Sequence, residues 1–540
     1  MGPATQSFGC GEGGGKGGEK GGKTGPKKED WKQTAFKMFE VSATTAASII
    51  VLGLAGYGYH RYYKHLVLSK IKVAFEPGDP VLELEAAGHD VPTENDHWYI
   101  QALRHGDYTL YGRLKLMLVL RSRILRDEQK LIDAIIRGEL VGHYYLLIGE
   151  KGTGKTSMIL DAMKKTNGDN CSMLEAHADA EIFRSRLGKA IDFEYHEDYI
   201  GSLFSIRGPR ETTPILDIER AFNKLEKVAL EKKVKSRKPL ILVINSMHLL
   251  RDDDEGRDML ELLQQRAEAW AATGLITMIF NSDDYWVYER LKQYAARMEV
   301  ISIRDLEKKD AVSALQKYRQ RYRHENIDET LAKKIYDKVG GRLAFLNRVA
   351  KSKNMLKMCD EIIKQEKTWL LNQCGLLGSS MDDDVMNQQK YASSAMVLVK
   401  KLVEMEDEQE TKYDPEKGHI LPELELYKAR QVMTRAEFIQ QYDHINIFTI
   451  DSSSNVRADS VPMQNAFREV AKEEGFDQYL EETLERIAAI ESLGRTREIT
   501  IKDLWHGGKY NMTIKDKKGN VQQVVSWNVE EGRRGGGGDE

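Results

Sequence analysis

Cysteine is scarce in this 540-residue chain: Cys10, Cys171, Cys359 and Cys374 fall without C-x-x-C spacing and without clustered histidines. That excludes a disulfide framework and a cysteine zinc site, and it fits a reducing compartment. A surplus of one charge is missing too. Lys and Arg number 80 against 84 Asp and Glu, a net of −4, so no global field draws the chain to nucleic acid. No internal repeat is visible and no cleavable signal pattern opens the sequence. The first residues also lack the Arg/Ser-rich, acid-free character of a transit peptide. The length leaves room for two to four domains and a sizeable core.

What is present begins with Gly149 to Thr156, which spell G-x-x-x-x-G-K-T directly after the apolar run Tyr144 to Ile148. Gly152 and Gly154 allow the tight turn that lets backbone N–H groups surround phosphate oxygens. Lys155 can reach the β- and γ-phosphates, and Thr156 can offer a hydroxyl to Mg²⁺. The run from Ser157 to Lys165 reads as a helix whose positive end faces the same anion. Gly149, Glu150, Lys151, Gly152, Thr153, Gly154, Lys155, Thr156 and Ser157 are therefore the expected binding residues for a nucleoside triphosphate, ATP, with Mg²⁺ as cofactor.

A second strand in such a site normally ends in Asp and Glu. Here Leu240 to Ile244 ends in Asn245-Ser246. Asn245 offers a metal only a neutral oxygen, and Ser246 cannot serve as a carboxylate base. His248 or the run Asp252-Asp253-Asp254-Glu255 could substitute, although an acidic run at a loop is more often a solvated face. Binding is expected to be intact, with hydrolysis slow, relocated or absent. The next strand, Leu275 to Phe280, ends at Asn281, which is placed to sense the γ-phosphate or to cap a helix. Arg290 or Arg297 is a candidate arginine finger towards a neighbouring subunit of a homo-oligomer.

Val41 to Tyr59 carries no charge over nineteen residues, about 28 Å as a helix, which suits a single membrane span. Strand candidates at 144–148, 172–177, 240–245, 275–280 and 299–303 alternate with helical patterns, the rhythm of a parallel sheet. The expected organisation is a disordered Gly/Lys-rich tail (1–35), the span and its flanks (36–65), a linker or insertion (66–124), a P-loop ATPase domain (125–305), a helical lid (306–374), a linker (375–390), an α+β domain (391–530) and a disordered tail (531–540). Tyr510 to Ile514 and Val521 to Val525 read as a hairpin.

Arg126–Glu128 as an R-x-E box, the P-loop, Asn281, Arg297 and Val339-Gly340-Gly341-Arg342 stand in the order seen in Orc1-like and STAND-type AAA+ ATPases. Together with the span, the chain resembles fungal membrane-anchored AAA+ ATPases, including the ATPase half of the mitochondrial escape protein family. The resemblance implies an α/β P-loop NTPase sheet with a helical lid and a C-terminal winged-helix-like domain. It also implies a sensor-2-like contact from Arg342 to the γ-phosphate, a single-pass location in the mitochondrial inner membrane, and a role in assembling or remodelling protein partners. Such winged helices can bind DNA. Residues 391–505, however, hold 14 Lys and Arg against 23 Asp and Glu, a net of −9. Phosphate contacts dominate DNA affinity, so nucleic acid is disfavoured. The basic clusters Lys317, Arg319, Arg321, Arg323 and Lys232 to Lys238 read as solvated helix faces.

Overall fold

The structure is a computed structural model that describes residues 28–78, 81–82, 126–195, 213–378, 386–408, 415–496, 508–515 and 519–528. Residues 1–27 and 531–540 of the expected tails, most of the 66–124 linker and part of the 375–390 linker lie outside the described residues, whereas residues 28–35, expected in the disordered tail, belong to a helix. The chain divides into two compact units, residues 1–70 with 194–212, and residues 71–193 with 213–540.

Helix α1 runs Lys28–Val73, and its stretch Ala35–Val73 is long and apolar enough to cross a membrane, with none of its most apolar 18-residue window buried in protein. The hydroxyls at its N-terminal side turn back on the helix. Ser42, Thr45 and Ser48 each donate to the carbonyl four residues earlier, at 2.7, 2.7 and 2.8 Å. That arrangement hides hydroxyls from apolar surroundings. The helix also outlasts the expected boundary at 65. Ile71 and Phe75, in the second unit, are fully buried, and the Phe75 carbonyl accepts from Asn170 N and Lys232 Nζ.

The second unit is built on five parallel strands, β1 Tyr144–Ile148, β2 Cys171–Glu175, β3 Leu240–Asn245, β4 Ile276–Ser282 and β5 Met298–Ser302, in the order β2-β3-β4-β1-β5. Every residue of β1, β3 and β4 is buried, because helices cover both faces and no side of these strands meets water. Helix α2 Asp127–Ile136 precedes β1, and the crossovers are α3 Lys155–Lys165, α4 Ala180–Ala190, α5 Pro214–Ser236, α6 Asp254–Thr273 and α7 Tyr285–Lys292. Helix α5 starts at Pro214: the Thr213 side chain caps Leu216 N and the proline takes the first turn. With β1 inside the sheet, the carboxyl ends of β1, β3 and β4 share one edge. Loops leaving that edge form the crevice where ligands bind in such sheets.

Four lid helices follow, α8 Lys308–Arg323, α9 Glu329–Val339, α10 Leu343–Lys351 and α11 Met355–Cys374, packed around Leu315, Ile335, Leu346, Val349 and Ile362. Arg319 departs from the solvated-face expectation. It is buried, paired with Glu325, and donates to the Ala350 carbonyl at 3.0 Å. Arg323 likewise donates to the Lys351 carbonyl at 2.9 Å. Both arginines tie the lid together.

The last domain holds α12 Met386–Glu408, β6 Leu424–Glu425, α13 Leu426–Val432, α14 Ile439–His444, β7 Phe448–Ile450, β8 Asn455–Ala458, α15 Val461–Ala471 and α16 Phe476–Thr496. Strands β6, β8 and β7 form an antiparallel sheet beside a core of Tyr391, Tyr442, Phe448 and Phe467. The expected hairpin is present as β9 Lys509–Lys515 and β10 Val521–Asn528. It forms its own two-stranded sheet, separate from β6–β8.

Candidate nucleotide-binding site

The nine candidate residues Gly149 to Ser157 occupy the turn between β1 and α3 and the first residues of that helix. Gly152 and Gly154 have φ of +85° and +100°, which side chains other than glycine rarely adopt. The lid also crowds them: a Cβ at Gly152 would lie 2.7 Å from Ala344 Cβ, and one at Gly154 2.8 Å from Leu343 Cδ1. Ala344 N donates to the Gly152 carbonyl at 3.1 Å. Arg126, from the R-x-E box, clamps the other side by donating to the Thr153 and Arg304 carbonyls at 3.0 and 2.8 Å.

Lys155 is 4% exposed, and its ammonium donates to the Gly149 and Glu150 carbonyls at 2.6 and 2.8 Å. A third partner is Asp283 Oδ1 at 2.8 Å. Beside it the Thr156 hydroxyl donates to Asn245 Oδ1 at 3.1 Å and accepts from Asn281 Nδ2 at 3.1 Å, while Asn281 Nδ2 also reaches Asn245 Oδ1. The structure thus joins Lys155, Thr156, Asn245 and Asn281, which are up to 126 positions apart in sequence, into one cluster. Asn281 is 2% exposed and its Oδ1 has no hydrogen-bond partner among the described residues. A buried acceptor without a donor marks a place built for one.

Mg²⁺ takes oxygen ligands and completes its shell with waters and phosphate oxygens. Thr156 Oγ1 and Asn245 Oδ1, adjacent neutral oxygens at the phosphate loop, fit that role.

The remaining candidates fall in different places. Ser246 has φ of +56° at the turn after β3. His248 joins the cluster: its Nδ1 accepts from Asp283 N at 3.2 Å, and its Nε2 lies 3.8 Å from Asp283 Oδ2. The acidic run serves α6 instead. Asp253 caps Gly256 N at 2.9 Å, Asp252 pairs with Arg257 at 2.8 Å and approaches Arg290 at 3.6 Å, and the Asp254 side chain is fully exposed. Arg297 stands at the opposite end of β1, its carbonyl accepting from Tyr144 N, with its guanidinium 3.7 Å from Glu268. It reaches no phosphate loop within its own chain.

Arg342, at the start of α10, is 2% exposed and bonded on all sides. Its partners are Asp305 at 2.8 Å, Asp459 Oδ2 at 2.8 Å and the Lys151 carbonyl at 3.3 Å. Burial opposes the guanidinium's charge, but Asp305, Asp459 and Glu150 outweigh it and hold the pKa above its ordinary value. The same burial pushes the Asp459 carboxyl up, with Arg342 acting against it. Next to this group Glu150, 4% exposed, forms an ion pair with Arg457, 7% exposed in its side chain. Arg457 and Asp459 come from the β8 region, so the last domain places a cation and an anion against the phosphate loop.

Asp283, Asp305, Arg457 and Asp459 were not singled out from sequence. Asp283 had a signal in the polar string Asn281-Ser282-Asp283-Asp284 at a strand end. Arg457 and Asp459 had none, because ordinary charged residues 300 positions downstream carry no local mark of where they fold.

This geometry is that of a P-loop nucleotide-binding fold, and residues 118–278 match the family model of the AAA ATPase domain. Residues 372–491 match the C-terminal winged helix domain of fungal AAA proteins. The chain therefore joins an AAA ATPase domain to a winged helix of the fungal AAA type. The second match begins within α11, ahead of the sequence-derived boundary at 391. Among solved structures the chain is similar to the Walker-type ATPase of Pyrococcus abyssi, at 12% identity and a TM-score of 0.42, covering 64% of this chain and 96% of that one. It is also similar to Cdc6p from Pyrobaculum aerophilum (11%, TM-score 0.30, covering 65% and 95%). A third is the Orc1 protein of Aeropyrum pernix in complex with DNA (14%, TM-score 0.31, covering 65% and 92%). No curated protein matches the sequence.

Proposed function

We propose that this protein is a membrane-tethered AAA+ switch. It binds ATP with Mg²⁺ at Gly149 to Ser157 and uses nucleotide-dependent conformational change to assemble or remodel protein partners, with weak or atypical hydrolysis. The observation that carries this reading is the shared buried charge between phosphate loop and winged helix, Glu150 with Arg457 and Arg342 with Asp459. Lys155, now held by two carbonyls and Asp283, turns to the phosphates when they arrive. Thr156 and Asn245 would hold Mg²⁺, which would neutralise charge on the phosphate oxygens. Arg342 can act as sensor 2 only by leaving Asp459, so the γ-phosphate and the winged helix compete for one guanidinium. Nucleotide state is thereby converted into the position of the winged helix, the surface offered to partners.

Helix α1, through residues 41–59, supplies the tether, and the resemblance to the ATPase half of the mitochondrial escape protein family favours the inner membrane. Arg297, exposed at the far end of β1, suits contact with a neighbouring copy in a homo-oligomer. The C-terminal region, with a net charge of −9 over residues 391–505, is suited to protein rather than nucleic acid. A non-hydrolysing ATP-bound scaffold is the second reading, favoured by the neutral Asn245-Ser246 end of β3. A nucleic-acid-associated organellar ATPase would require a salt-dependent DNA complex.

Hydrogen exchange of the full chain tests the switch. Adding Mg²⁺ and ATP is expected to change protection at Asn455 to Asp459 in the native protein and to change nothing in Lys155→Ala. Bound ATP with unaltered exchange at β8 would remove the switch and leave the scaffold.

A further inference from the structure

The carboxylate that β3 lacks is present at the end of β4. These strands are parallel neighbours, with Ile244 opposite Phe280, so Asn245 and Asn281 leave the sheet side by side and Asp283 follows two residues later. One oxygen of Asp283 contacts Lys155 Nζ at 2.8 Å and the other faces His248 Nε2 at 3.8 Å. The Asp283 N–H donates to His248 Nδ1 at 3.2 Å, which makes Nδ1 the acceptor and leaves the proton of the neutral ring on Nε2, towards the carboxylate. The carboxylate is therefore fixed from both sides. Its side chain is 19% exposed, so solvent reaches it. Lys155 is the residue that a phosphate loop directs to the β- and γ-phosphates, so a group touching its ammonium stands on the γ-phosphate side. The unpartnered Asn281 Oδ1 belongs to the same cluster and can accept from a water there.

We propose that Asp283 is the general base for ATP hydrolysis in this protein, relocated from β3 to β4, with His248 as its positioning residue. This rests on the ATP-binding reading above. When ATP enters, Lys155 exchanges one anion for another, leaving Asp283 for the phosphates, and the freed carboxylate accepts a proton from water. The water oxygen forms a bond to the γ-phosphorus while the bond from that phosphorus to the β,γ-bridging oxygen breaks. ADP leaves with that electron pair, orthophosphate is the second product, and Asp283 returns its proton to solvent.

The test uses full-length protein in detergent and two measurements, binding of a fluorescent non-hydrolysable ATP analogue and phosphate release under saturating ATP. Asp283→Asn should bind the analogue several-fold more tightly, since Lys155 loses its competing carboxylate, while turnover falls by ~10²–10⁴-fold. Asp283→Glu should retain part of the turnover. His248→Ala should lower kcat with KM unchanged, and His248→Gln, which keeps an N–H donor and an acceptor, should restore much of it. The double variant Asp254→Asn with Glu255→Gln should keep native turnover. Turnover of Asp283→Asn within twofold of native overturns the proposal, as does its loss from the Asp254/Glu255 variant. Native protein that binds the analogue but releases no phosphate overturns it while leaving ATP binding in place. Native protein that binds no analogue removes the nucleotide reading along with it.

Discussion

Glu366 on α11 shows how the buried charges around Arg342 reach stability. Burial, reinforced by the negative charge of Asp459, pushes its carboxyl up to about 7, with Arg342 and Arg348 opposing. Unfolded, the same group titrates at about 4.3. Between those values the native state keeps a proton that the unfolded state sheds, so the group's stabilising share is complete in acid and is lost as pH rises through about 7. Glu366→Gln, which keeps a neutral side chain at every pH, should lose less melting temperature between pH 5 and pH 8 than the native protein does. Identical pH slopes in the two proteins would contradict the assignment.

At the scale of elements, α1 carries the clearest expectation. Deleting residues 41–59 should move the protein from the carbonate-resistant membrane fraction to the supernatant. A full-length protein already extracted by carbonate would show that α1 does not span. The central elements were legible from sequence because their physics is local. Buried parallel strands are unbroken apolar runs, and a phosphate loop needs its glycines at fixed spacing. Thus β1 to β5 and the Gly149 turn sit where periodicity and motif put them. The misread elements depend on distant partners. Helix α1 continues to Val73, past the expected boundary at 65, and Ile71 near its end is fully buried. Arg319 leaves solvent because the α10 end offers carbonyls and Glu325 offers charge. Asp283 matters only because folding brings it to Lys155, 128 positions earlier in the chain.

For the molecule as a whole, the pair Glu150–Arg457 fastens two domains through a buried charge. Removing one partner of such a pair strands the other, at a cost of about 3–5 kcal/mol, whereas removing both is far milder. Glu150→Gln and Arg457→Met should each lower stability by that order, and the double variant should recover most of the loss. Additive losses in denaturant unfolding would mean that the two residues act independently. Because the pair adjoins the phosphate loop, Arg457→Met should also alter ATP affinity, although Arg457 is not one of the loop residues.

The same pair spans 307 positions of sequence. Protein synthesis adds ~5–20 residues each second, so the phosphate loop leaves the ribosome roughly 15–60 s before its counter-charge exists. Through that interval Glu150 has no Arg457 and Arg342 no Asp459, and the loop presents an uncompensated acid where a triphosphate must approach. The order of translation therefore becomes an order of assembly: the phosphate-loop site is complete only once residues 457–459 have been made.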